Sequence, residues 1–96
     1  MGFEWDAAKD AANFGKHEIG FRQAAEIFRG LILIRRDDRR DYGETRLIAL
    51  GEYDGEIIRV VFTYRGENIR IISAWKANRH ERKTYEEARQ GRWQDR

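Results

Sequence analysis

NIRIISAWKANRHERKTYE, residues 68–86, is the stretch whose reading decides the fold. Asn68 to Trp75 alternates as a strand does, with Ile69, Ile71, Ser73 and Trp75 on one face and Arg70, Ile72 and Ala74 on the other. Asn78 then opens a helix, and Glu81 stands at the N3 spacing of a capping box. That helix runs to Arg89 or Gln90, with Gly91 beyond its end. The corner between strand and helix is crowded with Lys76, Arg79, His80, Arg82 and Lys83. Cations in the first turn oppose the helix dipole, and a bound phosphate resolves the conflict. The alternative is an ordinary solvated face with Arg82 paired to Glu86.

Working outward, Ile57 to Tyr64 predicts a long strand, joined to the last one by the turn Arg65–Gly66–Glu67. Asp54–Gly55 is the strongest hairpin signal in the chain and ties that strand back to Thr45–Leu50. Leu31–Ile34 is a continuous apolar run, read as a further buried strand. The segment from Arg35 to Gly43 interleaves arginines with Asp37, Asp38 and Asp41 and reads as a mobile surface loop. Near the N-terminus, Phe3–Glu4–Trp5 suits a short strand and Asp6 a helix N-cap. A helix over Ala7–Lys16 carries Ala7, Ala8, Ala11, Ala12 and Phe14 on one side, the side expected to pack closely; Lys9, Asn13 and Lys16 lie on the other. A second helix, Phe21–Phe28, begins at Gly20, with Gln23 in the reciprocal capping position. The expected architecture is α+β: a short N-terminal strand, two helices, a four-stranded antiparallel sheet and a C-terminal helix. Residues 1–91 form one domain and 92–96 a tail carrying Trp93. The early helices cover one sheet face and leave the other partly open for a ligand.

Ninety-six residues hold one modest core. With 41% hydrophobic residues the chain packs, so disorder is not expected. Nineteen Lys and Arg against 17 Asp and Glu leave a net charge of only +2, so any polyanion site depends on clustering rather than on the total. The absence of Cys excludes disulfides and thiolate-bound zinc, and His17 and His80 alone are too few for a His-rich metal site. No apolar run approaches a membrane span, and the N-terminus lacks a signal-like core, so a cytoplasmic location is expected. No nucleotide- or cofactor-binding motif is present, so neither cofactor nor metal is expected.

Scattered His, Glu, Lys, Tyr and Arg side chains fit metal-free RNA cleavage. That reaction needs a proton acceptor, a proton donor and cations around the phosphorane. His17 reads first as a C-terminal histidine on the dipole of the first helix, with proton transfer as the alternative role. Glu81 is a general base or the second arm of the Asn78 cap; facing inward, it wants a cation, and Arg70 or Arg46 is the expected partner. Tyr85 either touches RNA or anchors the last helix. Arg46, Arg59 and Arg70 lie on neighbouring strands, where each faces solvent or reaches across the sheet for phosphate.

Two segments, FEWDAAKDAANFGKH (Phe3–His17) followed by Phe21, and RIISAWKANRHERKTYEE (Arg70–Glu87), resemble the BrnT family of RelE-like ribonuclease toxins from type II toxin–antitoxin pairs. The shared positions are Phe3, Trp5, Asp6, Lys9, Asn13, Lys16 and His17, then Arg70 to Ala74, Ala77, Glu81 and Tyr85. Trp75 stands where the family commonly has Arg, and Glu18 where Gly is common. The resemblance implies a RelE-like fold and translation arrest by RNA cleavage. It also implies neutralisation by a BrnA-type ribbon-helix-helix antitoxin, with two toxins on an antitoxin dimer and operator DNA touched only by the antitoxin. On these grounds His17, Arg70, Lys76, Glu81 and Tyr85 are candidate catalytic residues. Lys9, Lys16, Arg46, Arg79, His80, Arg82 and Lys83 are candidate RNA contacts. The competing expectation, favoured by Trp75, is a catalytically silent partner that modulates repression by a DNA-binding antitoxin.

Overall fold

The longest alternating run becomes the central strand. In a computed structural model, which describes residues 2–91, β4 (Glu56–Arg65) pairs antiparallel with β3 (Leu47–Tyr53) on one side and β5 (Asn68–Lys76) on the other. The tail 92–96, with Trp93, lies outside the described residues. Asp54 and Gly55 turn the first hairpin with φ of 52° and 83°, the paired left-handed geometry of a type I′ turn. Gly66, at φ 59°, opens the second two-residue turn, where a side chain would be strained. β2 (Leu33–Arg36) adds antiparallel to β3, two residues later than the apolar run suggests, which draws Arg35 and Arg36 into the strand.

β1 (Phe3–Glu4) corrects the expected sheet. It pairs parallel with β5 through Phe3–Ile69 and Glu4–Arg70, and the Ile69 amide donates to the Gly2 carbonyl at 2.9 Å. The result is a mixed five-stranded sheet in the order β1-β5-β4-β3-β2 within the expected α+β class. Two residues of alternation are too few to reveal a parallel partner about 65 positions away.

A bulge corrects the faces of β5. Val61 pairs with Ser73 but Phe62 pairs with Ile71, so Ile72 is the extra residue. From there on the alternation is reversed. Ala74 joins Ile69 and Ile71 on the core face, and Trp75 moves to the opposite face beside Arg59.

α1 (Ala7–His17) starts where Asp6 accepts from the Lys9 amide at 2.9 Å. Its alanines are exposed and Phe14 is 54% exposed, contrary to the packing expected of them. Asn13, on the supposed polar side, is the residue this helix buries. The reason is backbone satisfaction. β1 is too short to cover the whole edge of β5, and the Asn13 amide caps the uncovered Ala74 peptide, accepting from its N–H (3.1 Å) and donating to its C=O (2.7 Å). Glu18 closes the helix at φ 60°, a left-handed C-cap that favours Gly. The Phe21 amide donates to Asp10 at 2.9 Å and the Gly20 amide to Gln23 at 2.9 Å, which together start α2 (Phe21–Ala25); a 3₁₀ turn over Glu26–Arg29 completes the apolar periodicity.

The main core lies between α2 with its 3₁₀ turn and one sheet face. Phe21, Ala24 and Ile27 meet Ala49, Ile58, Val60, Phe62, Ile71 and Ala74 there. Phe21, Phe62 and Ile27 are at most 1% exposed, and each contributes about 1.5–3 kcal/mol by burial. α3 (Arg79–Arg89) covers one end of the other face with Tyr85 and the preceding Ala77 over Leu50, Ile57 and Leu33. At Gly51 the 3₁₀ turn comes so close that a Cβ would lie 2.6 Å from Ile27 Cβ. Gly51→Ala is therefore expected to lose about 1–3 kcal/mol by overpacking, a fall in Tm of roughly 5–20 °C in thermal denaturation. An unchanged Tm would mean the turn yields without cost.

Candidate functional site

The bulge at Ile72 creates the site. It sets Trp75 directly across from Arg59, whose guanidinium carbon lies 4.3 Å from the indole centroid. Such a desolvated cation–π contact is worth about 1–2 kcal/mol. Arg59 Nη1 also donates to Glu81 Oε2 at 3.0 Å, and the two side chains are only 13% and 8% exposed. Arg59 Nε is buried with no protein partner among the described residues. Glu81 is both the second arm of the Asn78 cap and an ion-pair partner of Arg59. Oε1 accepts from the Asn78 amide at 2.9 Å while Asn78 Oδ1 accepts from the Glu81 amide at 2.8 Å, and Oε2 holds Arg59. Arg35 Nη2 stands 3.9 Å from the same oxygen on a mostly exposed side chain. The His17 ring lies 5.5 Å from Trp75 at 35°. His17, Trp75, Arg59, Glu81 and Arg35 thus form one row of side chains from α1, β5, β4, α3 and β2.

The carboxylate's partners are corrected: Arg59 and Arg35 serve Glu81, not Arg70 or Arg46. Arg70 sits near the opposite end of β5, six residues from Lys76 and so roughly 20 Å away along the strand. Its Nη1 donates to Glu4 at 2.9 Å; hydrogen bonds from Asn68 and Arg70 hold the Glu4 carboxyl below its ordinary range. Arg46 stacks 4.2 Å from the Tyr42 ring and lies 3.4 Å from Glu44. Lys76 is exposed and 3.5 Å from Glu56. Tyr85 is 2% exposed, and its hydroxyl donates to the Leu31 carbonyl at 2.8 Å; burial raises the phenol's pKa. These contacts give Tyr85 the anchoring role.

The basic cluster of α3 does not act as one patch. Helical rotation sends His80 toward β2 and β3, whereas Arg82 and Lys83 face a hollow beside Gly55 and Lys76. Arg82 Nη1 donates to the Ala77 carbonyl at 2.9 Å, and Arg79 is exposed. Lys9 is exposed on the first turn of α1. Lys16, His17, Trp75 and Lys76 come together in a groove of about 560 Å³ at the sheet end, where Glu18, Asp54 and Glu56 face them. That groove is charge-balanced rather than basic.

The loop expected to be mobile is tied down instead. Asp37 is 3% exposed and accepts from Arg39 Nε (2.7 Å), Arg39 Nη2 (2.8 Å), the Arg39 amide (3.2 Å) and the Tyr42 hydroxyl (3.2 Å). The Arg39 guanidinium drives its carboxyl far below the ordinary 3.8. A depressed carboxyl stabilises the fold above the unfolded value near 3.8, and the contribution is lost as pH falls below it. Asp37→Asn is expected to cost about 1–3 kcal/mol at pH 7. Urea titrations of both proteins should show the gap narrowing below about pH 4; a constant gap would sink this assignment.

Arg59 and Trp75 are the residues whose partnership sequence reasoning missed. Arg59 was visible as the charge on an otherwise apolar strand face. Its partner was hidden, because the bulge reversed the face on which Trp75 was expected.

The fold and the site define a small α+β protein in which one sheet face, half covered by a helix, carries arginines from β2 and β4 around one buried carboxylate. The family model for the ribonuclease toxin BrnT of type II toxin–antitoxin systems matches residues 5–81, and the chain belongs to that family. A search of curated proteins finds no match. Family membership makes this a type II ribonuclease toxin with an antitoxin as its counterpart. No helix among the described residues is long and apolar enough to cross a membrane.

Proposed function

We propose that this chain cleaves RNA inside the cytoplasm without a metal ion, arresting translation until a cognate antitoxin binds it directly. The observation that carries the reading is the row of contacts His17–Trp75–Arg59–Glu81, which joins the N-terminal and C-terminal motifs. In this chemistry the 2′-oxygen attacks the adjacent phosphorus as its proton leaves, and the departing 5′-oxygen takes up a proton. His17 is the proton-transfer group. Arg59, pinned by Trp75 and Glu81, supplies a preorganised positive charge; exposed Arg35 and Lys76 exchange their weak carboxylate partners for phosphate at little cost. Glu81 positions Arg59. Arg70 and Arg46 hold phosphates further along the chain of the substrate; Lys16 contacts it in the groove, Arg82 and Lys83 from the hollow beside Gly55, His80 from the hollow beside β2, and exposed Lys9 and Arg79 add further contacts.

The test is cleavage of labelled RNA in EDTA by natively folded protein. Cleavage is expected, with His17→Ala slower by about 10²–10⁴-fold; intact RNA overturns the proposal. A silent-partner reading draws on one feature: Trp75 stands where the family commonly has Arg, and it and Glu81 already occupy Arg59. Growth arrest on induced expression, relieved by the antitoxin, separates the two. The antitoxin is proposed to be a BrnA-like ribbon-helix-helix protein whose dimer carries two toxins and makes the operator contacts.

A further inference from the structure

We infer that the hollow between α3 and the β2–β3 end of the sheet is a binding subsite for one unstacked nucleobase. It is a separate feature from the groove at the sheet end and holds about 430 Å³. Its floor is apolar: Ile48 is 1% exposed and Leu50 7%, with half-buried Leu33 beside them. Arg35, His80, Thr84 and Glu81 line it with polar groups, the guanidinium and imidazole of the first two being planar, beside Ile34, which is 46% exposed. An apolar floor with a few convergent polar groups is the chemistry of a small flat heterocycle. Arginine planes and histidine rings are the surfaces on which single-stranded bases stack.

Two observations tie the hollow to RNA rather than to an apolar peptide. Glu81 Oε2 holds Arg59 at 3.0 Å but has Arg35 no nearer than 3.9 Å, so lone-pair capacity remains for an N–H on a base edge. Glu81 also belongs to the cationic row, so a base seated here has its own phosphate within reach of Arg35, which is 61% exposed. The four polar side chains lie on β2 and α3, and the Tyr85 hydroxyl ties α3 to the Leu31 carbonyl just before β2, so the subsite is prebuilt. This inference deepens the ribonuclease reading and rests on it for the natural substrate.

The test is binding, which does not depend on cleavage. Isotope-labelled protein is titrated with each nucleoside 5′-monophosphate and with ribose 5-phosphate, and amide shifts are followed by NMR. Shifts are expected at Leu33, Arg35, Leu50, His80 and Thr84, with nucleotides binding about tenfold or more tighter than ribose 5-phosphate, the contribution of one stacked base. Thr84→Phe, which fills the hollow, should abolish them while the rest of the spectrum stays native. Equal affinity for ribose 5-phosphate overturns the subsite, because the site then reads phosphate alone. So do shifts located elsewhere, or nucleotide binding that survives Thr84→Phe in a folded protein. Base-dependent binding with no RNA cleavage in EDTA would keep the subsite and sink the ribonuclease reading. Cleavage without base-dependent binding would do the reverse.

Discussion

Replacing Glu81 with alanine is expected to cost about 3–5 kcal/mol of stability, the typical penalty for stranding a buried charge. Arg59 would be left 13% exposed with only the Trp75 ring against it, and the Asn78 amide would lose its acceptor at the same time. Glu81→Gln separates the two roles. A glutamine at N3 still accepts from the Asn78 amide, so the helix start survives while the charge on Arg59 goes uncompensated. A smaller loss is therefore expected, visible in urea unfolding. The double variant Arg59→Met with Glu81→Leu removes both charges and should recover most of the loss from the ion pair, though not from the cap. On the proposed mechanism that double variant is folded and inactive on RNA. A Glu81→Ala protein losing less than about 1 kcal/mol would show that Arg59 finds water by a small opening, and that the pair does not hold α3 in place.

Asn13→Ala has the second large expected effect, about 3–5 kcal/mol, from unsatisfied backbone groups at about 1–3 kcal/mol each. The side chain donates to Ile19 O at 2.9 Å and to Ala74 O at 2.7 Å and accepts from Ala74 N at 3.1 Å, and Ala74 is fully buried. No other residue performs these contacts in the described structure, because β1 ends at Glu4. Hydrogen exchange at the Ala74 amide provides the local readout: slow in the parent and fast in the variant. Asn13→Asp probes the same clamp differently. Its carboxylate keeps the Ala74 N–H but faces two carbonyls, so its folded pKa is raised and the variant should gain stability as pH falls through that value. Equal exchange rates in parent and Asn13→Ala would rule out the clamp. His17 lies at the end of the same helix, so loosening α1 is expected also to uncouple His17 from Trp75.

Much of the scaffold was legible in local chemistry. Asp54–Gly55 demanded a tight hairpin, Gly66 a second, and Asn78 with Glu81 a helix start; each is a decision taken within four residues, where turn and capping geometry leave few alternatives. The site was legible only as residue types. His17 and Glu81 could be named, but Arg70, expected to partner Glu81, lies at the other end of β5 with Glu4. The alanines of α1 looked like a packing face because periodicity records apolarity and not which side meets the protein. A buried asparagine gives no periodic signal at all.

The sequence by itself determined the elements, their order, the antiparallel hairpins and the family, because these depend on neighbours in the chain and on motifs readable in one dimension. Only the tertiary structure decided that β1 closes against β5, that Ile72 is an extra residue, and hence that Trp75 turns toward Arg59 and Glu81. A strand's side chains alternate with a period of two, so one unpaired residue moves every later side chain to the other face. That displacement is settled by which strands pair and how the core packs against them, and it is what assembled the site.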